Sequence, residues 1–220
     1  SQTMFVTFEG IEGCGKSTQC RLLGQWLKAR GFDVLMSREP GGSPLGARIR
    51  EILLSREFEG MSPECELLLY LADRAQHVDT VIRPALGSGR AVLVDRFADS
   101  TVAYQGFGRG ISLETLDSLN RLAVKDLWPE LTVVIDVPVQ LGLERARSRN
   151  FELGTSHSEG RFEAETLDFH SSIRQGYLEL AAAHPERCSV VNGQGSENEI
   201  FAEIRAAVIR RFGLESPGSP

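Results

Sequence analysis

Long apolar runs are missing from this 220-residue chain. Its hydrophobic stretches are strand-length and broken by charge, so no segment is expected to cross a membrane or to act as a secretory leader. Cysteine is scarce. The four present (Cys14, Cys20, Cys65 and Cys188) have no C-x-x-C spacing, which argues against a zinc site or a disulfide framework and suits free thiols in a reducing cytoplasm. A basic excess is absent as well: 24 Lys and Arg against 30 Asp and Glu leave a formal net charge of −6, the wrong sign for a non-specific nucleic-acid binder. The 4 histidines, His77, His157, His170 and His184, are scattered and supply neither a ligand cluster nor an evident general base. No internal repeat is found, and no linker-like stretch divides the chain. The Asn-Lys-x-Asp signature of guanine-specific switches is missing too, since Asn120-Arg121-Leu122-Ala123 does not match it.

What remains is an ordinary globular composition, 41% apolar and 25% charged. A chain of this length can bury roughly 70% of its unfolded surface without a staple. Strand-length runs rich in Val, Ile and Leu are predicted at Phe5–Phe8, Val34–Met36, Ala91–Val94, Thr132–Val137 and Ser189–Val191. Between them, helices are predicted over 16–30, 44–54, 63–86, 113–125, 139–149, 164–183 and 197–212. Ser62-Pro63 reads as an N-cap before an N1 proline, and Ser196 to Glu199 reads as a capping box. Gly31 and Gly213 stand at C′ positions. The alternation predicts an α/β fold over 1–213, a five-stranded parallel sheet with helices on both faces. Asn150 to Glu159 is polar and aperiodic and reads as a mobile loop, so a lid is expected at about 146–162. Residues 214–220 read as a disordered tail.

The first strand runs into Gly10-Ile11-Glu12-Gly13-Cys14-Gly15-Lys16-Ser17-Thr18, a complete G-x-x-x-x-G-K-[ST] phosphate loop opening a predicted helix. Its glycines let successive backbone N–H groups curl around an anion at a helix N-terminus. Lys16 reaches the outer phosphates, and the Ser17 hydroxyl is the expected Mg²⁺ ligand. The chain is therefore expected to bind a nucleoside triphosphate. Ala91-Val92-Leu93-Val94-Asp95 is an apolar strand ending in a carboxylate, placed to hold Mg²⁺ directly or through water. Val133-Val134-Ile135-Asp136 is a rival, but Asp136 precedes Val137-Pro138 and a helix, so hydrogen bonding at the helix start is its expected role.

Arg96, beside Asp95 and ahead of Ser100 and Tyr104-Gln105, suggests an anion-binding fork, with a structural Asp–Arg pair as the alternative. Arg38-Glu39-Pro40-Gly41-Gly42 makes a defined turn at the carboxyl end of the second strand, where ligands of open α/β sheets sit, although a plain tight turn fits equally well. Tyr70 and Arg74 share a helix face and can stack on a base and bond its edge; core packing and surface exposure are the alternatives. Arg145, Arg147 and Arg149 before the lid, with Arg161 after it, suggest cations that close over a transferring phosphoryl group. One such arginine contributes about 10³–10⁵ in rate.

In this combination the motifs resemble those of bacterial thymidylate kinase, and the resemblance runs nearly end to end. It rests on Phe8 to Gln19, on the Arg-Glu-Pro-Gly-Gly turn, on Asp95-Arg96-Phe97 with Ser100, and on Ala103-Tyr104-Gln105-Gly106 followed by Gly108-Arg109-Gly110. The resemblance implies a P-loop NTPase fold with a mobile lid, transfer of the γ-phosphoryl group of ATP to dTMP giving dTDP, and a homodimer. It implies that the loop from Gly10 to Thr18 cradles the triphosphate and that the Asn192-Gly193 turn closes over adenine. For the acceptor it implies that Glu12 reads the sugar 3′-hydroxyl, Tyr70 stacks on thymine, and Arg74 and Gln105 contact the base edge or acceptor side. Arg38 and Arg96 would bind the monophosphate, Ser100 and Tyr104 would complete that pocket, and Asp95 would assist Mg²⁺.

Cys14 stands where eukaryotic-type members carry an arginine beside Gly15, so the catalytic cation is expected from the lid, in the order Arg149, Arg161, Arg147, Arg145. Lys16, Asp95 and Arg96 complete the expected catalytic set. The chain departs from the family in Tyr70 for the usual Phe, in Phe97 for Tyr or His, and in a lid lengthened by an insertion at Asn150–Gly160.

Overall fold

A computed structural model describes residues 3–215. The chain runs β1 (Phe5–Glu9), α1 (Lys16–Ala29), β2 (Val34–Arg38), α2 (Pro44–Leu54), a 3₁₀ turn (Arg56–Phe58) and α3 (Pro63–His77). A π-helical stretch (Val78–Ile82) joins α3 to α4 (Arg83–Gly87). Then come β3 (Ala91–Asp95), α5 (Ala98–Thr101), a second π-helical stretch (Val102–Gly108) and α6 (Leu113–Val124). The chain closes with β4 (Leu131–Asp136), α7 (Val139–Leu153), α8 (Leu167–Ala183), β5 (Cys188–Asn192) and α9 (Glu197–Phe212).

The strands form one parallel sheet in the order β2-β3-β1-β4-β5. β1 is buried throughout and β3 is buried up to Asp95, as expected of central strands covered on both faces. The edge strands β2 and β5 are only partly covered. One apolar layer packs Val6, Phe8, Leu23, Leu27, Ile173, Tyr177 and Val208, while the other gathers Phe5, Val78, Ile82, Val92, Val94 and Phe97. The register pairs Phe8 with Asp95 and Arg38 with Asp95, so the loops leaving β1, β2 and β3 open on the same sheet edge. That edge carries the site.

Local signals operate as read from sequence at several helix starts. Ser62 accepts the Cys65 N–H at 3.2 Å ahead of Pro63, and Ser196 accepts the Glu199 N–H at 3.2 Å. Other boundaries differ. The helix expected over 63–86 contains the first π stretch, and the residues from Ala98 to Gly108, given no element above, are helical. α7 continues to Leu153, into the segment read as a loop, because Asn150 is buried in it and the helix ends only where Gly154 takes φ 70. The following segment docks on α2: the Arg56 N–H donates to the His157 carbonyl at 2.8 Å, and the Arg161 N–H donates to the Leu54 carbonyl at 3.0 Å. At the other end, Leu214 packs on the core and its N–H reaches the Ile209 carbonyl, while Arg30 donates to the Glu215 carbonyl at 2.8 Å. The rest of the expected tail, 216–220, lies outside the described residues.

α7 also rests directly on the phosphate loop. A Cβ on Gly13 would lie 1.8 Å from the Gly142 carbonyl oxygen, and a Cβ on Gly142 would lie 2.3 Å from the Glu12 carbonyl oxygen. Backbone meets backbone here, so neither side can give way by turning a side chain. Gly142→Ala should lift α7 from the loop at a cost of about 1–3 kcal/mol. Urea unfolding should read this as a lowered midpoint, with a fall in turnover measured on the folded protein.

Candidate active site

The loop after β1 adopts the conformations its glycines allow, with φ of 147 at Gly10, 73 at Gly13 and 99 at Gly15. Gly15 caps α1 without a side-chain bond, which leaves the first N–H groups of a 14-residue helix directed at whatever anion the loop holds. Lys16 folds back over the loop, its Nζ 3.4 Å from the carbonyl oxygens of Gly10 and Ile11. A cavity of about 320 Å³ opens in front. Its wall includes Glu12, Gly13, Gly15, Lys16 and Ser17 from the loop, Arg38 from β2, and Tyr70 from α3. Asp95, Arg96, Ser100, Tyr104 and Gln105 follow from the β3 side, with Arg149 from α7. Gly10, Ile11, Cys14 and Thr18 frame the loop rather than line the cavity.

Arg96 is the most heavily tethered cation of the site. Its backbone takes φ 71, a left-handed conformation that costs a non-glycine residue about 1–3 kcal/mol. Two bonds secure it: the Arg96 N–H donates to the Phe8 carbonyl at 2.9 Å, and the Phe97 N–H donates to Glu9 Oε1 at 2.7 Å. The guanidinium donates to Glu12 (3.1 Å), the Gly10 carbonyl (3.0 Å) and the Tyr177 hydroxyl (3.0 Å), and lies 4.8 Å over the Tyr104 ring. Burial alone would raise the Glu12 carboxyl, but Arg96, Lys16 and the Tyr104 hydroxyl together bring it down to about 2. Glu9, fully buried at the end of β1, accepts from Phe97, Ser100 and Tyr177. Burial and the neighbouring Asp99 push its carboxyl up from 4.5 to about 7.

Several expected residues are placed elsewhere. Arg74 does not line the cavity. Its guanidinium is 1% exposed and donates to Glu39 (2.8 Å), Thr101 (2.6 Å), Asn120 (3.0 Å) and the Phe97 carbonyl (3.0 Å), which bolts α3 to the β2 turn and to α5. Glu39 also holds His77 at 2.8 Å, and Asp73 holds the Gly41 N–H at 3.0 Å, so the Arg-Glu-Pro-Gly-Gly turn is stitched to α3. Arg161 is 2% exposed and does not line the cavity. It pairs with Glu66 at 2.6 Å and donates to the Leu53 carbonyl, capping the otherwise orphaned end of α2. Arg147 is drawn to the Glu163 carbonyl at 2.8 Å, and Arg145 is exposed. Asp136 does not bond at the start of α7 but forms a two-point pair with Arg174 of α8, at 2.8 and 3.0 Å. Asn192 accepts the Gln194 N–H at 3.0 Å in the turn after β5, off the cavity wall.

Sequence reasoning missed Glu9, Arg50, Glu66, Phe162, Glu163 and Tyr177. Only Glu9 carried a signal, a carboxylate ending an apolar strand just as Asp95 does. The others reach the site through tertiary packing. Phe162 lines the cavity with its ring 5.3 Å from that of Tyr104 and 6.3 Å from that of Tyr70.

A family model for thymidylate kinase matches residues 8–204. The chain is 54% identical over 217 residues to a thymidylate kinase of Nitratidesulfovibrio vulgaris, covering 99% of this chain and 100% of that one. The chain belongs to the thymidylate kinase family. A thymidylate kinase of Pelobacter propionicus is likewise 54% identical, over 94% of each chain. The crystal structure of thymidylate kinase from Ehrlichia chaffeensis superposes with a TM-score of 0.75 at 31% identity, over 94% of this chain and 99% of that one. The enzyme is thus an ATP-dependent kinase on a P-loop NTPase fold, and phosphorylation of dTMP to dTDP is the function of its family.

Asp73, buried and next to Glu39, has its carboxyl raised from 3.8 to about 6, and Glu163, buried and near Glu12, is raised from 4.5 to about 7. With Glu9, these groups are raised in the folded state, so folding favours their protonated forms. Their contribution is complete below the unfolded values and is lost as pH rises through about 6–7. Stability should therefore decline between about pH 4 and pH 7, and Glu9→Gln should flatten that decline in urea titrations at stepped pH.

Proposed function

We propose that this cavity is where the enzyme transfers the γ-phosphoryl group of ATP to dTMP. The observation that carries this reading is that one cavity is lined both by phosphate-loop residues, Lys16 among them, and by Arg38, Arg96, Tyr70 and Gln105. ATP lies with its triphosphate in the loop from Gly10 to Thr18, with Lys16 on the outer phosphates. dTMP lies opposite, its phosphate on Arg38 and Arg96, its sugar hydroxyl at Glu12 and its base against Tyr70. Ser100 and Tyr104 complete the acceptor wall. The attacking phosphate oxygen is already anionic at neutral pH, so no strong general base is required. Positioning and charge neutralisation supply the catalysis.

Ser17 and Asp95 offer a hydroxyl and a carboxylate on the same wall, hard oxygen donors of the kind Mg²⁺ takes while keeping water and phosphate oxygens. Among the described residues no cage of three or more His, Cys, Asp or Glu side chains gathers, which suits a metal that arrives with its nucleotide. Mg²⁺ held there would neutralise phosphate charge. The lid, at about 146–162 of a single 1–213 domain, contributes Arg149, the one of its three arginines that reaches the cavity wall. A homodimer is part of this reading, and Leu68 of α3 and Leu122 of α6, 60% and 74% exposed, are apolar surface that such a contact would cover. Four free cysteines support a cytoplasmic setting.

Lys16→Ala should remove about 3 kcal/mol or more of transition-state stabilisation, roughly a hundredfold or greater loss in kcat. Arg149→Ala should lower kcat by about 10³ with little change in Tm, whereas Arg161→Ala should act first on the fold, costing about 3–5 kcal/mol. An ADP-release assay run with dTMP, dCMP and dGMP reads each variant. Fastest turnover of wild type with dCMP or dGMP would overturn the acceptor assignment, and kcat within tenfold for Lys16→Ala would remove the loop from the mechanism.

A further inference from the structure

Glu66 of α3 is completely buried, yet four donors converge on it. Arg109 grips it at both oxygens at 3.0 Å, Arg161 pairs with Oε2 at 2.6 Å, and Gln105 donates its amide nitrogen to Oε1 at 2.9 Å. Burial would raise this carboxyl, but the Arg109 hydrogen bond and the charges of Arg161 and Arg109 hold it below the usual range. It is therefore ionised and can only accept. Gln105 itself is on the cavity wall, and among the described residues no group donates to its Oε1.

We propose that Glu66 is a specificity-determining positioning residue: by holding the amide nitrogen of Gln105, it forces the amide oxygen toward the acceptor's base and so selects a ring that donates from N3. The proposal rests on the reading above that Gln105 meets the base. A thymine edge offers an N3–H donor beside the O4 acceptor, whereas a cytosine edge offers an N3 acceptor beside a 4-amino donor. An unrestrained glutamine could serve either edge by turning its amide through half a rotation. With Glu66 in place, the turned form would set two acceptor oxygens against each other in a buried site and leave the amide oxygen without a donor. The exclusion of cytosine is thus built from repulsion as much as from attraction. Arg109 and Arg161 serve this lock in turn, since they keep Glu66 charged and fixed. That employment accounts for the position of Arg161 away from the phosphates.

The test is the ratio of kcat/KM for dTMP to that for dCMP, a quantity that a purely structural defect would not shift. Glu66→Gln gives Gln105 a partner that accepts or donates in either orientation, and the ratio should fall by about tenfold or more. Because that substitution leaves the buried Arg161 facing a neutral amide, while the partly exposed Arg109 keeps Glu165 at 2.8 Å, the paired change Glu66→Gln with Arg161→Gln restores the charge balance and should show the same fall. Gln105→Met, which has neither donor nor acceptor, should also lower the ratio, chiefly through loss of dTMP turnover. If Gln105→Met lowers the ratio but the folded Glu66 variants keep the wild-type value, the lock does not exist. If Gln105→Met itself leaves the ratio unchanged, Gln105 does not read the base and the acceptor assignment beneath this inference fails.

Discussion

A guanidinium held by a buried or partly buried carboxylate recurs around the cavity of this enzyme. It occurs as Arg96 on Glu12, Arg74 on Glu39, and Arg109 with Arg161 on Glu66. Two anionic nucleotides must be brought together by a protein whose own formal charge is −6. Positive charge therefore has to be concentrated locally and aimed, not spread over a surface. Each carboxylate removes a guanidinium's freedom to swing into solvent and leaves its remaining N–H groups in a defined direction. The arrangement is unforgiving, since stripping one member from such a pair leaves an uncompensated buried charge, at about 3–5 kcal/mol.

These pairs also divide labour among the arginines. Arg74 and Arg161 spend their donors on the fold, joining α3 to α5 and capping α2. Arg96 is shared, with its backbone in a left-handed conformation secured from β1 and its guanidinium on the cavity wall. Arg149 lines the cavity from α7, and α7 in turn lies backbone-to-backbone on Gly13. The phosphate loop and the helix that carries Arg149 thus share one rigid contact. A displacement at Gly142 is passed to both, because close-packed backbone has no side-chain slack to absorb it.

The fold was legible because its signals are local. Apolar strand-length runs separated by capped amphipathic segments prescribe a parallel α/β sheet, and the five strands lie close to where Val, Ile and Leu cluster. The loop from Gly10 to Thr18 was legible for a similar reason: φ values of 147, 73 and 99 at its glycines are demands that only glycine meets without penalty. The misreadings have physical causes too. Asn150 to Leu153 looked like loop because they are polar or exposed, but helix propagation continues until a residue in the left-handed region stops it, and that residue is Gly154. The segment from Ala98 to Gly108 lacked the 3.6-residue pattern because much of it is π-helical and buried.

The amino-acid sequence by itself determined the strand order's raw material, the phosphate loop, the carboxylate at Asp95 and the presence of enough arginine to neutralise two nucleotides. Only the tertiary structure decided which arginines are available. Arg74 and Arg161 read as candidates on spacing alone, and both proved to be engaged by carboxylates 35 and more than 90 residues away in the chain. Spacing specifies which side chains share a face of one element. Whether a guanidinium points at a ligand or is consumed by the fold depends on acceptors brought to it from other elements, and those meet only when the sheet and its helices close around them.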